Sequence, residues 1–119
     1  MKEITSDIVI VGAGLTGLTL AYGLSRLNIK IALLDKFNFL NMKNDTYDLR
    51  TTAISEGSKQ FLDDVGVWNL LKKYNEPIKE INILDRKHSN SIYFSNKNKK
   101  QNLGYIVKNS VIRKALIRL

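Results

Sequence analysis

The sequence predicts an α/β fold that begins with a strand–helix–strand unit. Two apolar runs rich in β-branched residues, 7–11 and 29–34, flank a segment, 18–25, whose apolar residues recur at helical spacing. A G-x-G-x-x-G turn at residues 12–17 joins the first run to the helix. The whole unit, residues 7–35, has the length of about 30 residues that a βαβ unit needs.

The glycine turn predicts a binding site for a dinucleotide pyrophosphate. The first glycine permits a tight turn, the second lets the backbone approach the pyrophosphate, and the third lets helix and strand pack closely. Amide groups at the helix start, aided by the helix dipole, then face the phosphates. Asp35 follows Gly17 by 18 residues, close to the roughly 20-residue spacing of a ribose-binding carboxylate. The residues predicted to bind the cofactor at this point are Gly12, Ala13, Gly14, Leu15, Thr16, Gly17, Asp35 and Lys36.

The uncharged stretch from Ile8 to Ser25 has a second interpretation, as a membrane span or a signal-peptide core. Its 18 residues reach the lower limit of a transmembrane helix. Four glycines and three Ser or Thr residues within it, and the lack of net positive charge before it, argue against both. We therefore expect this stretch to belong to a globular domain.

The composition limits the kinds of site that the chain can build. Its 119 residues are 44% hydrophobic and 25% charged, which is typical of one ordinary globular domain. There is no cysteine, which excludes a disulfide scaffold, a Cys-based zinc site and a thiolate nucleophile and fits a cytoplasmic protein. We predict no metal site, and we expect the single histidine, His88, to lie in an exposed polar turn.

The net charge of +8 raises the question of an anionic partner. Much of the excess lies in Lys97, Lys99 and Lys100. No aromatic residues alternate with these lysines, so bases would have no surface to stack on and we predict no nucleic-acid binding. We expect a solvated loop, with attraction to acidic lipid head groups as the alternative.

The segment after the βαβ unit contains a second candidate ligand contact. Residues 36–47 lack periodicity and predict a loop. In residues 48–55, Arg50 is surrounded by small residues, which fits either a side chain that contacts a ligand or a surface arginine near a helix start. Ser55 is predicted to cap a helix that Gly66 ends.

The remaining elements are predicted as a short helix with a core tryptophan, a β-hairpin, a short strand and a final helix. They cover residues 67–74 with Trp68, residues 78–85 with 91–95, residues 105–107, and residues 109–119. Asn109 or Ser110 is predicted to cap the final helix. Because one βαβ unit supplies only two parallel strands, the predicted sheet is incomplete, and we interpret the chain as the N-terminal part of a longer protein.

Five segments resemble motifs of one enzyme family. Residues 7–17 resemble its first FAD fingerprint, and Asp35 matches the acidic residue that holds the adenosine ribose. Residues 48–55 resemble a D-x-R-x-x-A-[IL] segment whose arginine contacts FAD, residues 66–68 its G-V-W, and residues 103–116 a strand and helix that line the cofactor. The chain thus resembles the FAD-dependent aromatic hydroxylases of the para-hydroxybenzoate hydroxylase type, and most of all their ubiquinone-biosynthesis branch.

The resemblance implies that FAD, rather than NAD, is the bound dinucleotide. It also implies that Arg50 faces the ligand and that Asn109 stands where many relatives place a cofactor-contacting Gln or Arg. Residues 1–119 would form part of a Rossmann-like FAD-binding domain with an inserted β-hairpin. The D-G and G-D fingerprints that relatives carry further along are not in these residues, so we expect the chain alone to be inactive.

By the same resemblance, the full-length relative would hydroxylate a polyprenyl phenol with NAD(P)H and O₂. It would act in the cytoplasm, or peripherally at the inner face of a membrane, alone or in a ubiquinone-biosynthesis complex. Two alternatives stay open. One is the FAD-binding segment of another oxidoreductase, such as a geranylgeranyl-reductase-like protein. The other is a non-enzymatic basic fragment that binds through its lysine loop.

Overall fold

The computed structural model describes residues 3–36, 38, 48–85, 91–98 and 101–117, which form seven strands and four helices. In chain order they are β1 (Ile8–Val11), α1 (Leu15–Leu24), β2 (Ile31–Leu34), β3 (Thr51–Ser55), α2 (Glu56–Asp64), α3 (Trp68–Leu71), β4 (Asn75–Ile78), β5 (Glu80–Leu84), β6 (Ser91–Ser95), β7 (Gly104–Lys108) and α4 (Asn109–Leu116). The chain divides into two compact units, Met1–Arg50 with Lys108–Leu119, and Thr51–Val107.

The first unit contains the predicted βαβ unit. Strands β1 and β2 pair in parallel along their whole length. The carboxylate of Asp7 accepts a hydrogen bond from the Lys30 N–H at 2.7 Å, which ties the two strand starts together. At the other end, the N–H of Gly12 donates to the Leu34 carbonyl at 2.7 Å. Helix α1 packs against both strands and against α4.

In the described part of the unit, buried residues cover one face of this parallel pair. The core comes from β1, the glycine turn, α1 and α4, and consists of Ile10, Ala13, Leu18, Ala21, Ile112, Ala115, Leu116 and Ile117. On the other face of β1, Val9 is 55% exposed and Val11 is 83% exposed. Parallel sheets are usually covered on both faces. The two-stranded pair therefore confirms the predicted incomplete sheet.

The second unit is built on a three-stranded sheet in the order β3–β7–β4. Strand β4 runs antiparallel to β7 and holds Pro77, which an edge strand tolerates because its outer side needs no N–H donor. Helix α2 packs against β3 and α3. Trp68 is 3% exposed, as predicted for a core residue, and its ring meets that of Tyr105 edge to face with centroids 4.9 Å apart.

The predicted β-hairpin is confirmed as the antiparallel pair β5–β6, although its first strand begins at Glu80 and the predicted first residue, Ile78, belongs to β4. Its polar face carries a hydrogen bond from the Tyr93 hydroxyl to the Glu80 carboxylate at 2.6 Å. Its other face is apolar but 43–57% exposed, and consists of Ile81, Ile83, Ile92 and Phe94. Polar and apolar residues alternate along both strands, as in a half-buried strand pair, yet all ten residues of the two strands are exposed.

The boundaries of α2 follow the sequence prediction. The Ser55 hydroxyl accepts a hydrogen bond from the Ser58 N–H at 3.2 Å, so Ser55 caps the helix. Gly66 follows the last turn with φ +81°, a left-handed conformation that suits glycine.

Two strands were missed by the sequence prediction, and two predicted details of local structure are wrong. Strands β3 and β4 were not predicted, and both gain their strand conformation by pairing with the distant β7. Helix α3 is shorter than predicted because the Asn75 amide donates to the carbonyl of Lys72 at 2.9 Å and closes its end. Lys108, rather than Asn109 or Ser110, is the N-cap of α4, because β7 continues to Lys108 and the helix starts directly after it.

Some predictions fall on residues outside the described ranges. These are most of the loop at 36–47, the turn with His88, Lys99, Lys100 and the end of the final helix. Among the residues that the structure describes, no helix is both long enough and apolar enough to cross a membrane.

Candidate functional site

The turn between β1 and α1 depends on glycine at its first and last positions. Gly12 has φ +108°, a backbone conformation that side chains disfavour. A Cβ on Gly17 would overlap the carbonyl oxygen of Gly12 and lie 3.5 Å from the Ile10 side chain. The first glycine is thus required by the turn, and the last by the close packing of α1 on β1.

Gly14 differs from both of these glycines. Its φ of −70° and ψ of −177° are open to any residue. A Cβ built on it would meet no atom of the described residues within 4 Å. Neither the backbone conformation nor packing within the protein therefore explains a glycine here, and the position leaves an open space at the start of α1.

Helix α1 begins at this open space without a cap. Gly14 is its N-cap residue and makes no side-chain cap hydrogen bond, and the first turn has no acidic residue. The first amide groups of any α-helix have no carbonyl partner within the helix. They carry the positive end of the helix dipole, so this helix start is suited to an anion.

Asp35 lies beside the same turn. It follows the last residue of β2, and its carboxylate accepts a hydrogen bond from the Ala13 N–H at 2.6 Å. The parallel pairing of β1 and β2 brings the two strand ends together and thereby places this acid next to the glycines. Lys36, the next residue, is exposed. The structure thus brings Asp35 to the glycine turn, as predicted.

Arg50, the second candidate contact, is held by Asp48. Its Nε donates to Oδ1 of Asp48 at 2.8 Å and its Nη2 to Oδ2 at 3.0 Å, a two-pronged pairing that fixes the plane of the guanidinium. The Arg50 side chain is 76% exposed, whereas the Asp48 side chain is 5% exposed. The guanidinium of Arg50 is therefore exposed to solvent, whereas the carboxylate that holds it is buried.

Helix α4 completes the surroundings of Arg50. The N–H of Asn109, the first residue of α4, donates to the Arg50 carbonyl at 3.0 Å. One turn later, Nη2 of Arg113 donates to Oδ2 of Asp48 at 3.0 Å. The predicted pair Arg50 and Asn109 is thus brought together through the backbone, and Asp48 accepts hydrogen bonds from two guanidinium groups.

The charge of Asp48 is strongly stabilised. The side-chain hydrogen bonds from Arg50 lower the pKa of this carboxyl far below its usual range. Burial acts in the opposite direction, and the Arg50 N–H and the Arg113 guanidinium lower the pKa further. Asp48 is therefore an ionised, fixed point between two cations.

The sequence prediction missed Arg113. A signal for it exists in the sequence, because Asn109, Ile112, Arg113 and Leu116 recur at the spacing of one helix face. An arginine on the buried face of a helix needs a carboxylate partner. The sequence does not say which carboxylate, since Asp48 lies 65 residues away.

Comparison with known proteins finds a family model that matches the first part of the chain. Residues 7–48 match the family model described as FAD dependent oxidoreductase. Over these residues the chain is similar to the FAD-dependent oxidoreductases. The expectation of FAD as the cofactor is thereby confirmed.

Several curated proteins that the chain resembles carry the names of ubiquinone hydroxylases. The ubiquinone hydroxylase UbiL of Rhodospirillum rubrum is 30% identical over 94% of this chain and 26% of that protein. The 3-demethoxyubiquinol 3-hydroxylase of Escherichia coli is 27% identical over 98% of this chain and 30% of that protein. The chain spans about a quarter of the length of the curated relatives it matches.

Solved structures confirm the fold. A putative FAD-containing monooxygenase from Photorhabdus luminescens matches with a TM-score of 0.66 at 16% identity, over 96% of this chain and 28% of that one. The peptidyl tryptophan dihydroxylase QhpG matches with a TM-score of 0.56 at 17% identity, over 95% of this chain and 22% of that one. The predicted part of a Rossmann-like FAD-binding domain is therefore confirmed as the fold class.

Proposed function

We propose that the chain binds the adenosine and pyrophosphate part of FAD in a flavin monooxygenase that hydroxylates an aromatic ring. In this proposal residues 12–17 receive the pyrophosphate at the start of α1, and Asp35 accepts hydrogen bonds from the ribose hydroxyl groups. Arg50, Lys36 and Asn109 contribute further cofactor contacts.

The observation that carries the proposal is the open space at Gly14. The turn itself accounts for Gly12 and Gly17, whereas a Cβ on Gly14 would meet no atom within 4 Å in the part of the chain that the structure describes. A pyrophosphate at the start of α1 supplies a reason for this glycine, because a side chain would occupy the phosphate's position. The uncapped amide groups of α1 supply matching donors, so the residues present fit FAD.

The charged residues support the same orientation of the cofactor. The Asp35 carboxylate is fixed by the Ala13 N–H, beside the glycine turn, where a ribose next to the pyrophosphate would lie. Arg50 presents a guanidinium of defined plane, which suits a phosphate or another anionic group of the cofactor. Lys36 is exposed next to Asp35 and can add a positive charge near the phosphates.

The substrate class is proposed from the relatives. Those relatives carry the names of ubiquinone hydroxylases, so we assign the full-length protein to NAD(P)H- and O₂-dependent hydroxylation of a polyprenyl phenol in ubiquinone biosynthesis. When bound, FAD supplies the redox and oxygen chemistry, and residues of this chain bind and orient it. Because a polyprenyl chain partitions into lipid, we place this work in the cytoplasm at the inner face of a membrane, alone or in a ubiquinone-biosynthesis complex.

Competition between ligands tests the cofactor assignment. FAD is titrated into the purified protein with flavin fluorescence as the signal, and ADP and FMN are then added separately as competitors. A site for the adenosine and pyrophosphate part predicts that ADP displaces FAD and that FMN, which lacks the adenosine, does not. A protein that binds no FAD, or from which FMN displaces FAD while ADP fails, would contradict the assignment.

Product analysis tests the substrate class. The full-length protein, supplied with FAD, NAD(P)H, O₂ and a polyprenylated phenol, is expected to yield a ring-hydroxylated product. Oxidation of NAD(P)H together with reduction of the polyprenyl chain would instead indicate another class of flavin oxidoreductase.

A further inference from the structure

Among the residues that the structure describes, Arg113 is the one charged residue that is buried when main chain and side chain are taken together, with 8% of its surface exposed. It lies on α4 beside the apolar core residues Ile112 and Ala115. Placing a guanidinium in such surroundings costs free energy unless a carboxylate compensates its charge. The Asp48 carboxylate, 5% exposed, accepts a hydrogen bond from its Nη2 at 3.0 Å.

Asp48 connects this buried arginine to an exposed one. Its two oxygens accept hydrogen bonds from Nε and Nη2 of Arg50, and its Oδ1 also lies 3.2 Å from the Arg50 N–H. Oδ2 receives both Arg50 and Arg113. The exposed guanidinium is therefore tied to the core through one carboxylate.

The backbone of Arg50 is tied to the same helix. Its carbonyl accepts the N–H of Asn109 at 3.0 Å, one turn before Arg113 on α4. Helix α4 thus holds the Arg50 main chain with its first residue and holds the Arg50 side chain, through Asp48, with its fifth. Any change at Arg113 is expected to act on the side chain and leave the main-chain tie in place.

Loss of the Arg113 charge changes the balance at Asp48. A buried carboxylate is costly without a buried cation, and the remaining partner, Arg50, is largely in solvent. The free energy of the carboxylate is then lower when it turns toward water than when it stays buried. Arg50, which is oriented by that carboxylate, loses its fixed plane at the same time.

We propose that Arg113 is a positioning residue of the FAD site, which fixes the guanidinium of Arg50 through Asp48. This proposal rests on the proposed function, in which Arg50 contacts FAD. Arg113 itself touches no cofactor in this scheme. Its role is to keep one orientation of Arg50 ready before FAD arrives.

The first test reads the orientation of Arg50 without any cofactor. The NMR signal of the Arg50 Nε–H is compared between the wild-type chain, Arg113→Met, which keeps the length and removes the charge, and Lys114→Gln, an exposed neighbour on α4 as the control. A distinct, slowly exchanging signal is expected in the wild type and the control, and its loss in Arg113→Met. Retention of the signal in a folded Arg113→Met protein would overturn the proposal.

The second test measures coupling in FAD affinity. Arg113→Met is expected to raise the FAD dissociation constant about tenfold in the wild-type background and to have little further effect when Arg50 is already Ala. Full additivity of the two changes would contradict positioning. If the wild-type chain binds no FAD, the proposed function fails, whereas the NMR comparison still decides whether Arg113 fixes Arg50.

Two further variants keep the tests decisive if Arg113→Met does not fold. Arg113→Lys retains the charge and is expected to keep the Asp48 carboxylate in place, with the Arg50 signal and most of the FAD affinity retained. Asp48→Asn removes the charged link and is expected to release Arg50 although Arg113 is present. An Arg50 signal unchanged in Asp48→Asn would also overturn the proposal.

Discussion

Helices α1 and α2 both follow a strand, but their first turns are stabilised in different ways. At the start of α2, the Ser55 hydroxyl accepts the Ser58 N–H at 3.2 Å, and Glu56 places a negative charge in the first turn. At the start of α1, Gly14 offers no side chain, and the first turn has neither a cap nor an acid.

The difference separates a structural helix start from a functional one. A serine cap typically contributes about 1 kcal/mol to helix stability, and an acidic residue in the first turn adds a little more. Helix α1 lacks both contributions and has an open space instead. Helix α2 therefore satisfies the Ser58 N–H from its own chain, whereas we propose that the amide groups at the start of α1 bind the cofactor.

The largest effect is expected for Gly17→Val, which tests the packing that holds the start of α1 against β1. A Cβ here overlaps the Gly12 carbonyl oxygen, which belongs to the backbone and cannot move aside like a side chain. We expect a loss of roughly 3 kcal/mol or more in the free energy of unfolding, measured in urea. A stability close to that of the wild type would contradict the close contact between Gly17 and the Gly12 carbonyl.

The next effect is expected for Gly14→Val, with Gly57→Val in the first turn of α2 as the matched control. Both positions have no atom within 4 Å of a built Cβ, so both variants should fold with stability changed by only about 1 kcal/mol. Gly14→Val should weaken FAD binding on the order of 100-fold, which corresponds to about 2.7 kcal/mol of binding free energy. The reason is that the valine side chain would occupy the position of the pyrophosphate. Gly57→Val should leave the dissociation constant unchanged. Equal FAD affinities in fluorescence titrations of the two variants would remove the distinction between the helix starts.

A smaller effect is expected for Ser55→Ala at the start of α2. Loss of the cap should cost about 1 kcal/mol of unfolding free energy, and Ser55→Asp, which can still accept the Ser58 N–H, should restore most of it. FAD affinity should not change in either variant. A fall in FAD affinity without a fall in stability would show that the start of α2 also takes part in binding.

The smallest expected effect is a loss of stability at low pH, when the Asp48 carboxylate becomes protonated. Because the pKa of Asp48 is lowered in the folded state, its stabilising contribution is present above the unfolded value of about 3.9 and is lost as pH falls through the lower folded value. In an NMR titration Asp48 should still be ionised at about pH 3, when ordinary carboxyl groups are largely protonated. The cap of α2 is a hydroxyl and should show no such dependence. A midpoint for Asp48 near the ordinary value would contradict the two-arginine arrangement.

Local patterns predicted most of the elements that build the site. The parallel pair, the glycine turn, the Ser55 cap and the hairpin each follow from residues close together in the sequence, whose conformational preferences agree with the fold. Asp35 was predicted at the turn because the βαβ unit itself brings it there.

Long-range pairing could not be predicted in this way. Strands β3 and β4 form because both pair with β7, which lies far from them in the sequence. The link from Arg113 to Asp48 likewise depends on how α4 packs, which no local pattern in the sequence records.

Amide chemical shifts during an FAD titration test the difference between the two helix starts most directly. In a ¹H–¹⁵N spectrum of the purified chain, the amide signals of Leu15, Thr16 and Gly17 are followed together with that of Ser58 as FAD is added. If the start of α1 binds the pyrophosphate, we expect large, saturable shifts for its three amides, the same shifts with ADP, and no shift for Ser58. Saturable binding of FAD that leaves Leu15, Thr16 and Gly17 unshifted would contradict it.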